Sequence, residues 1–162
     1  MASIRPSVIV VGVDGTSTGQ AALAFAMREA ALRGSALEVV TTWQWNPTYH
    51  SALGEQPADV RGRAQHAQDA AISAALAMTT APPVISRHVL EGEAGPALLE
   101  VAKGADYLVV GTEHKGAVTR AILGSVSLYC VRHATCPVMV VPSTRTVVDE
   151  QPAIRWVLEP VL

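Results

Sequence analysis

Five short apolar runs recur along the chain, each bounded by glycine, proline or polar residues. The runs are continuous rather than alternating, which is typical of strands buried on both faces of a parallel sheet. They predict five strands: Val8–Val13, Leu37–Trp43, Ile85–Leu90, Tyr107–Val110 and Val138–Val141.

Helical patterns lie between these runs, at Thr18–Arg33, Val60–Met78, Pro96–Lys103 and Ser125–His133. Gly34 supplies a left-handed cap after the first, and Pro82-Pro83 end the second. Apolar residues at spacings of three and four form the expected buried face of the second helix: Val60, Ala64, Ala67, Ala71, Ala74 and Met78. Strands that alternate with helices predict right-handed β-α-β units, and therefore a doubly wound α/β domain with helices on both faces of its sheet.

Two segments fall outside this alternation. Gln44–Gln56 is expected to form a long loop after the second strand, placed to act as a lid or rim. Ser143–Leu162 follows the last strand and carries apolar residues such as Trp156 and Leu158. We therefore expect one domain over residues 1–142 and an extension over 143–162 that packs on the domain or on a second subunit.

Composition narrows the function classes. The chain has 162 residues, 49% of them hydrophobic, 16% charged and a net charge of −2, so neither nucleic acid nor an anionic membrane is an expected partner. The longest apolar runs fall far short of the roughly 20 residues that span a bilayer. The first residues, MASIRPS, lack a signal-peptide core, and two cysteines make no disulfide framework. A cytoplasmic protein is expected.

The segment Tyr107–Pro142 contains the strongest candidate site. An apolar strand breaks at Gly111, and a glycine-containing loop then leads to a helix that begins at Gly124-Ser125. Unpaired N–H groups and the positive end of a helix dipole suit a phosphate. A similar sequence follows the first strand, where Asp14 could bind a ribose or a phosphate-bound magnesium ion. Asp14 and Thr16 could equally be turn and N-cap residues.

Two other chemistries are weaker alternatives. Gly15–Gly19 formally matches the G-x-S-x-G pattern of a hydrolase, but no acid and histidine pair accompanies it, and Ser17 is better explained as a helix cap. Cys130, His133 and Cys136 recur every three residues, yet three ligands without a fourth make an incomplete zinc site. No P-loop or dinucleotide-binding glycine pattern is present. We expect no catalytic residues and no bound metal ion in the protein itself.

Assembled along the chain, these motifs resemble those of the universal stress protein family. The resemblance rests on VGVDGT, VVTTW, VLEGEAGPALLEVAKGADYLVVGT and LGSVSLYCVRHATCPVMVV, and covers residues 6–142. It implies a Rossmann-like, five-stranded parallel sheet of order 3-2-1-4-5 and a homodimer. In one branch of the family it also implies ATP binding without a strong catalytic apparatus.

The ATP-binding branch carries glycine, two residues, glycine, nine residues, then Gly-Ser or Gly-Thr. Gly111 matches the first position and Gly124-Ser125 the last, whereas His114 takes the place of the second glycine. The nearest glycine is Gly116, and Lys115 keeps a cation beside the loop. The His114 ring would either crowd the phosphates or donate a hydrogen bond to them.

The resemblance also implies a role for residues outside this loop. Asp14 would contact the ribose and phosphate region, and Thr42 would present backbone groups to adenine. Ser125 and the Val126 amide would meet the terminal phosphates. The expected protein is a dimeric module that binds ATP, with Mg²⁺ on its phosphates, or another adenine nucleotide, and hydrolyses it slowly or not at all. The main alternative is a nucleotide-free stress protein that acts through contacts with other proteins.

Overall fold

The computed structural model describes residues 6–112 and 123–143. Its strands are β1 (Val8–Gly12), β2 (Ala36–Trp43), β3 (Ile85–Glu91), β4 (Tyr107–Thr112) and β5 (Val138–Pro142). Its helices are α1 (Ser17–Arg33), α2 (Pro47–Ala52), α3 (Pro57–Ala77), α4 (Ala94–Val101) and α5 (Ser125–His133). Except for Ser143, the expected extension over 143–162 lies outside the described residues, so its packing stays a prediction.

The strands form one parallel sheet in the order β3-β2-β1-β4-β5. The predicted doubly wound α/β fold and its 3-2-1-4-5 order are thereby confirmed. Helices α1 and α3 pack on one face of the sheet, and α4 and α5 pack on the other. The chain moves outward from β1 to β3 and then returns to β4 beside β1, so the strand order reverses between β1 and β4. A ligand crevice is expected at such a reversal.

Helices cover both faces of the sheet, and every interior position of its central strand β1 is accordingly apolar. Ile9, Val10 and Val11 are fully buried. Ile9 and Val11 belong to the core beneath α1 and α3, whereas Val10 belongs to the core beneath α4 and α5. A strand whose side chains enter two cores reads as a continuous apolar run, which is why sequence alone indicated a parallel sheet.

The buried face of α3 differs from the prediction. The helix buries Gln68, Ala71, Ile72 and Ala75, whereas the predicted core residue Ala74 is exposed and Met78 is 88% exposed. Alanine recurs on more than one side of this helix, so its spacing does not identify the side that meets the sheet. The polar residue Gln68 also lies on the buried face, where an apolar pattern cannot predict it.

The segment predicted as a loop over Gln44–Gln56 contains the short helix α2. Asn46 caps it by accepting a hydrogen bond from the Tyr49 amide at 3.0 Å, and Pro47 occupies its first turn. This pairing of asparagine with proline is a helix-start signal, and it was missed because the segment carries no apolar period.

Helices α1 and α4 also begin at residues other than the predicted ones. Thr16 rather than Ser17 caps α1, since its side chain accepts from the Gly19 amide, and α4 begins at Ala94, two residues before Pro96. Gly34 ends α1 at φ 64°, in the expected left-handed conformation. In the part of the chain that the structure describes, no helix is both long and apolar enough to cross a membrane.

Gly111 in β4 brings the start of α1 unusually close to the sheet. A Cβ atom at this position would lie 2.5 Å from the Thr18 carbonyl oxygen and 2.8 Å from the Thr18 carbonyl carbon. Both atoms are backbone, so a side chain could be accommodated only by moving the helix. Gly111 is therefore required for packing, whatever it contributes to a ligand.

We expect Gly111→Ala to lower the free energy of unfolding by about 1–3 kcal/mol, the usual cost of overpacking a core. Gly62→Ala is the matched control, because a Cβ atom at Gly62, inside α3, would meet nothing within 4 Å. That change should raise the free energy of unfolding by about 0.5–1 kcal/mol through helix propensity. Urea denaturation at one protein concentration measures both. Equal stability of Gly111→Ala and the unsubstituted protein would show that α1 is not held this closely.

Candidate functional site

A cleft of about 100 Å³ opens at the carboxyl ends of β1, β2 and β4, where the strand order reverses. Its lining combines an apolar wall, exposed main-chain groups and the short polar side chains of Asp14, Thr18 and Thr42. The lining residues are Gly12, Val13, Asp14, Thr18, Gly19, Val40, Thr42, Ala94, Leu98, Val110, Gly111 and Val126. A concave, mainly apolar site with a few convergent polar groups is the usual form of a small-molecule site.

The cleft exists because β1 ends before its neighbours. The last β1 residue, Gly12, is in register with Val40, whereas β2 continues to Trp43. Val40 directs its main-chain groups toward β1, because its carbonyl oxygen accepts from the Val13 amide at 2.9 Å. Main-chain groups alternate sides along a strand, so those of Thr42 point the same way. With no β1 residue opposite, they face the cleft.

Asp14 lies at the exposed mouth of the cleft, in the turn between β1 and α1. One carboxylate oxygen, Oδ1, accepts from the Thr16 amide at 3.0 Å and from the Thr16 hydroxyl at 2.6 Å. A Cβ atom on Gly19 would lie 2.6 Å from this oxygen, so the turn depends on that glycine. Among the described residues the other carboxylate oxygen has no hydrogen-bond partner. Asp14 thus serves as the expected turn residue and still presents one oxygen to a ligand.

The start of α5 forms the opposite side of the cleft. Gly124 is the N-cap and, having no side chain, leaves the first N–H groups of the helix without a side-chain acceptor. Val126 lines the cleft, and the buried Ser127 hydroxyl donates to the Gly111 carbonyl oxygen at 2.8 Å. This bond fixes α5 to the end of β4. Among the described residues, the helix start therefore offers amides without a side-chain cap, together with the positive end of its dipole, beside the cleft.

The structure brings together part of the site that the sequence predicted. Asp14, Thr42, Gly111 and Val126 line the cleft. Gly124 and Ser125 lie exposed at the start of α5, next to Val126 but not in the lining. The predicted loop residues His114, Lys115 and Gly116 lie outside the described residues, so their roles stay predictions.

Sequence reasoning missed several residues that shape the cleft. Leu98 and Ala94 come from α4, which the motif did not include, and Thr18 and Gly19 come from the first turn of α1. The G-x-S-x-G match did draw attention to the segment containing Thr18 and Gly19, although it was attributed to a hydrolase. Ala94 and Leu98 lie in a segment that carries the family resemblance, but that segment predicted no role for them, since placing them in the cleft requires knowing how α4 packs.

The cleft has little built-in charge. Within residues 6–112 and 123–143, Asp14 is the charged residue of the lining, and no lysine, arginine or histidine joins it. Attraction for an anion would therefore come from helix N-termini rather than from side-chain cations. Ser17, the serine of the G-x-S-x-G match, is exposed at the first position of α1 and does not line the cleft.

The Cys130, His133 and Cys136 triplet does not converge. Cys130 is fully buried in the core beneath α4 and α5, and desolvation there raises the pKa of its thiol to about 11. The His133 ring stacks on Tyr129, and its Nδ1 lies 2.9 Å from the Tyr129 carbonyl oxygen. Among the described residues no group of three histidine, cysteine, aspartate or glutamate side chains is arranged to hold a metal ion. Cys130 is a packing residue.

Comparison with known proteins agrees with this fold. The universal stress protein family model matches residues 7–142. A universal stress protein of Mycobacterium tuberculosis is 30% identical over 142 residues, which cover 82% of this chain and 46% of the relative. The chain spans about half the length of the curated relatives it matches.

Solved structures give the same result. Universal stress protein UspA from Lactobacillus plantarum is 26% identical with a TM-score of 0.63, covering 86% of this chain and 99% of that chain. A universal stress protein crystallised in complex with cAMP is 25% identical with a TM-score of 0.54, covering 86% of this chain and 98% of that chain. The doubly wound fold, the strand order and the family model all agree. The chain belongs to the universal stress protein family.

The buried thiol gives a testable prediction. The pKa of Cys130 is raised from 9.0 to about 11, so its thiolate fraction at pH 8 should be about a hundredfold below that of an ordinary cysteine. Iodoacetamide should therefore label Cys130 in urea but not in the folded protein, as read by peptide mass spectrometry. The half-buried Cys136 serves as the internal comparison and should label faster. Labelling of Cys130 at similar rates with and without urea would contradict its burial.

Proposed function

We propose that this protein binds an adenine nucleotide in the cleft between β1, β2 and β4, and that ATP carrying Mg²⁺ is the ligand. The protein would act as a nucleotide-responsive binding module in a stress response, with hydrolysis slow or absent. Support comes from the family, from the cAMP complex of a related protein, and above all from the geometry of the cleft.

The observation that carries the proposal is the pair of Thr42 main-chain groups facing the cleft. The N–H is a donor and the C=O is an acceptor on the same strand edge. Adenine presents an N1 acceptor beside an N6 amino donor, so the two edges are complementary. Val40, Leu98 and Val110 supply apolar surface on which a base can lie. Main-chain groups and apolar walls together define a base-binding position.

The rest of the nucleotide would extend from the base toward α5. The free oxygen of Asp14 suits a ribose hydroxyl, which is a donor. The uncapped start of α5 suits phosphate, since it offers N–H groups and a positive dipole end. We propose slow hydrolysis because the described lining contains no histidine or lysine that could act as a general base. The carboxylate of Asp14 is the remaining candidate base, and one of its oxygens already accepts from the Thr16 hydroxyl.

A nucleotide-free protein that acts through protein contacts is a second candidate, favoured by one observation. Large apolar side chains are exposed on α5 and β5, namely Leu128, Tyr129, Val131 and Met139. Exposed apolar groups that lie together mark interaction surfaces. None of these four residues lines the cleft, so the two candidates predict different mutational effects.

We expect Val126→Trp to weaken ATP binding by more than about tenfold, equivalent to about 1.4 kcal/mol. The indole would occupy the cleft at the first turn of α5, where Val126 forms the wall. Isothermal titration of ATP into both proteins measures the change. Val131→Trp is the matched control, because Val131 lies on the same helix, is exposed and does not line the cleft.

The three titrations, of the unsubstituted protein and of the two variants, separate the candidates. Loss of ATP binding in Val126→Trp with retention in Val131→Trp places the nucleotide in the cleft. Equal affinities in both variants would mean that ATP binds elsewhere. No ATP binding to the unsubstituted protein would favour the nucleotide-free function.

We further propose that two copies pair through β5. The strand has a neighbour, β4, on one side, and Met139 is 44% exposed. An apolar edge strand with open N–H and C=O groups tends to pair with another strand. Leu128 and Val131 on α5 would add apolar surface beside it.

Light scattering should therefore report twice the 17.0 kDa chain mass at micromolar concentration. Met139→Lys should shift the protein to monomer, because a charge on an edge strand opposes pairing. Val84→Lys is the control, since Val84 is exposed next to β3 rather than β5. A monomeric unsubstituted protein, or a dimer that survives Met139→Lys, would contradict pairing through this strand.

A further inference from the structure

A buried pair of side chains lies behind Thr42, and the inference drawn from it rests on the proposed function. We propose that Thr41, held by Gln68, is a positioning residue that keeps the Thr42 amide available and thereby sets selectivity for adenine. Neither residue lines the cleft. Thr41 belongs to the VVTTW segment, which predicted no role for it, and Gln68 lies outside all the motifs.

The first step concerns the end of the ladder between β1 and β2. Its last main-chain bond runs from the Val13 amide to the Val40 carbonyl oxygen. In a parallel ladder the next bond would run from the Thr42 amide to the Val13 carbonyl oxygen. That bond is not formed. The Thr41 hydroxyl instead donates to the Val13 carbonyl oxygen at 2.8 Å, and among the described residues the Thr42 amide has no partner.

The second step concerns the direction of the Thr41 proton. The Thr41 hydroxyl oxygen accepts from Gln68 Nε2 at 3.1 Å. Nε2 also lies 3.2 Å from the Val39 carbonyl oxygen and 2.9 Å from the His88 carbonyl oxygen. Carbonyl oxygens only accept, so the Gln68 amide turns its NH₂ group toward these atoms, and its two N–H bonds are shared among the three acceptors. With the Thr41 oxygen accepting from Gln68, its single proton is directed to Val13.

The third step concerns burial. Gln68 is 1% exposed and Thr41 is 4% exposed. A buried amide is costly unless its hydrogen bonds are made, and here they join α3 to both β2 and β3. The Thr41 side chain is therefore fixed by elements on the face of the sheet opposite α4 and α5. The arrangement is rigid before any ligand arrives.

The consequence is a preformed edge that distinguishes bases. Thr42 offers N–H followed by C=O to the cleft, which matches adenine N1 and its N6 amino group. Guanine carries the reverse pattern, an N1 donor beside an O6 acceptor, so its edge would oppose donor to donor and acceptor to acceptor. A site that leaves polar groups unpaired against the wrong ligand discriminates strongly.

The test removes the Thr41 hydroxyl while keeping the side-chain shape. In Thr41→Val the Val13 carbonyl oxygen loses its donor, and the Thr42 amide should pair with it and extend the ladder. We expect ATP affinity to fall roughly two- to tenfold, the value of one hydrogen bond, with GTP affinity unchanged. Thr41→Ser keeps the hydroxyl and should restore the ratio of ATP to GTP affinity.

A second measurement needs no nucleotide. Hydrogen exchange followed by NMR should show the Thr42 amide exchanging fast in the unsubstituted apo protein and losing that fast exchange in Thr41→Val. Thr79→Val is the control, because the Thr79 hydroxyl donates to the Ala75 carbonyl oxygen at 2.8 Å, far from the cleft. It should change neither the Thr42 exchange nor the ATP to GTP ratio.

The outcomes are separable. Unchanged Thr42 exchange in Thr41→Val overturns the positioning role, and an unchanged ATP to GTP ratio overturns the selectivity. Absence of ATP binding to the unsubstituted protein removes the proposed function and the selectivity with it, while the exchange measurement still decides whether Thr41 controls the amide. If Thr41→Val fails to fold, Thr41→Ala replaces it, since that change also removes the hydroxyl that donates to the Val13 carbonyl oxygen, and the same two measurements apply.

Discussion

The early end of β1 is the constraint on which the site depends. A fully buried central strand that runs as far as its neighbours would close the sheet and leave no space between α1, α4 and α5. Here the strand ends at Gly12, where β2 and β4 continue. A turn built from Asp14 and Thr16 then carries the chain into α1. The same few residues therefore end a strand, cap a helix and form the cleft.

In the part of the site that the structure describes, main-chain atoms rather than charged side chains supply most of the polar groups. Thr42 contributes an amide and a carbonyl, and the start of α5 contributes uncapped amides. These groups have fixed directions because the elements that hold them are packed closely, as the contact of Gly111 with Thr18 shows. The Ser127 bond to the Gly111 carbonyl oxygen adds a second constraint. Preorganised main-chain groups bind a ligand without a large loss of conformational entropy.

The sequence was sufficient for the fold because burial on both faces leaves a pattern that is visible in every strand. For the candidate site, the pattern of strand ends and glycines indicated Asp14 and Gly111, whereas Thr42 and Val126 were implied only by the family resemblance; all four line the cleft. Gln68 and Thr41 could not be found in this way. Their importance depends on which main-chain atoms the register leaves without a partner, and a polar residue in an alanine-rich helix gives no sign that it faces the core.

The two edges of the sheet differ, and the difference would limit how far the proposed assembly can extend. The outer strand β3 carries Arg87, which pairs with Asp69 at 3.0 Å, and ends in the exposed Glu91. The outer strand β5 is Val-Met-Val-Val-Pro. Charges disfavour strand addition at an edge. Pairing of two β5 strands about a twofold axis would cover the apolar edge of both copies. It would leave the β3 edges, with their charged residues, on the outside. Growth would then stop at a closed pair rather than continue into a fibre.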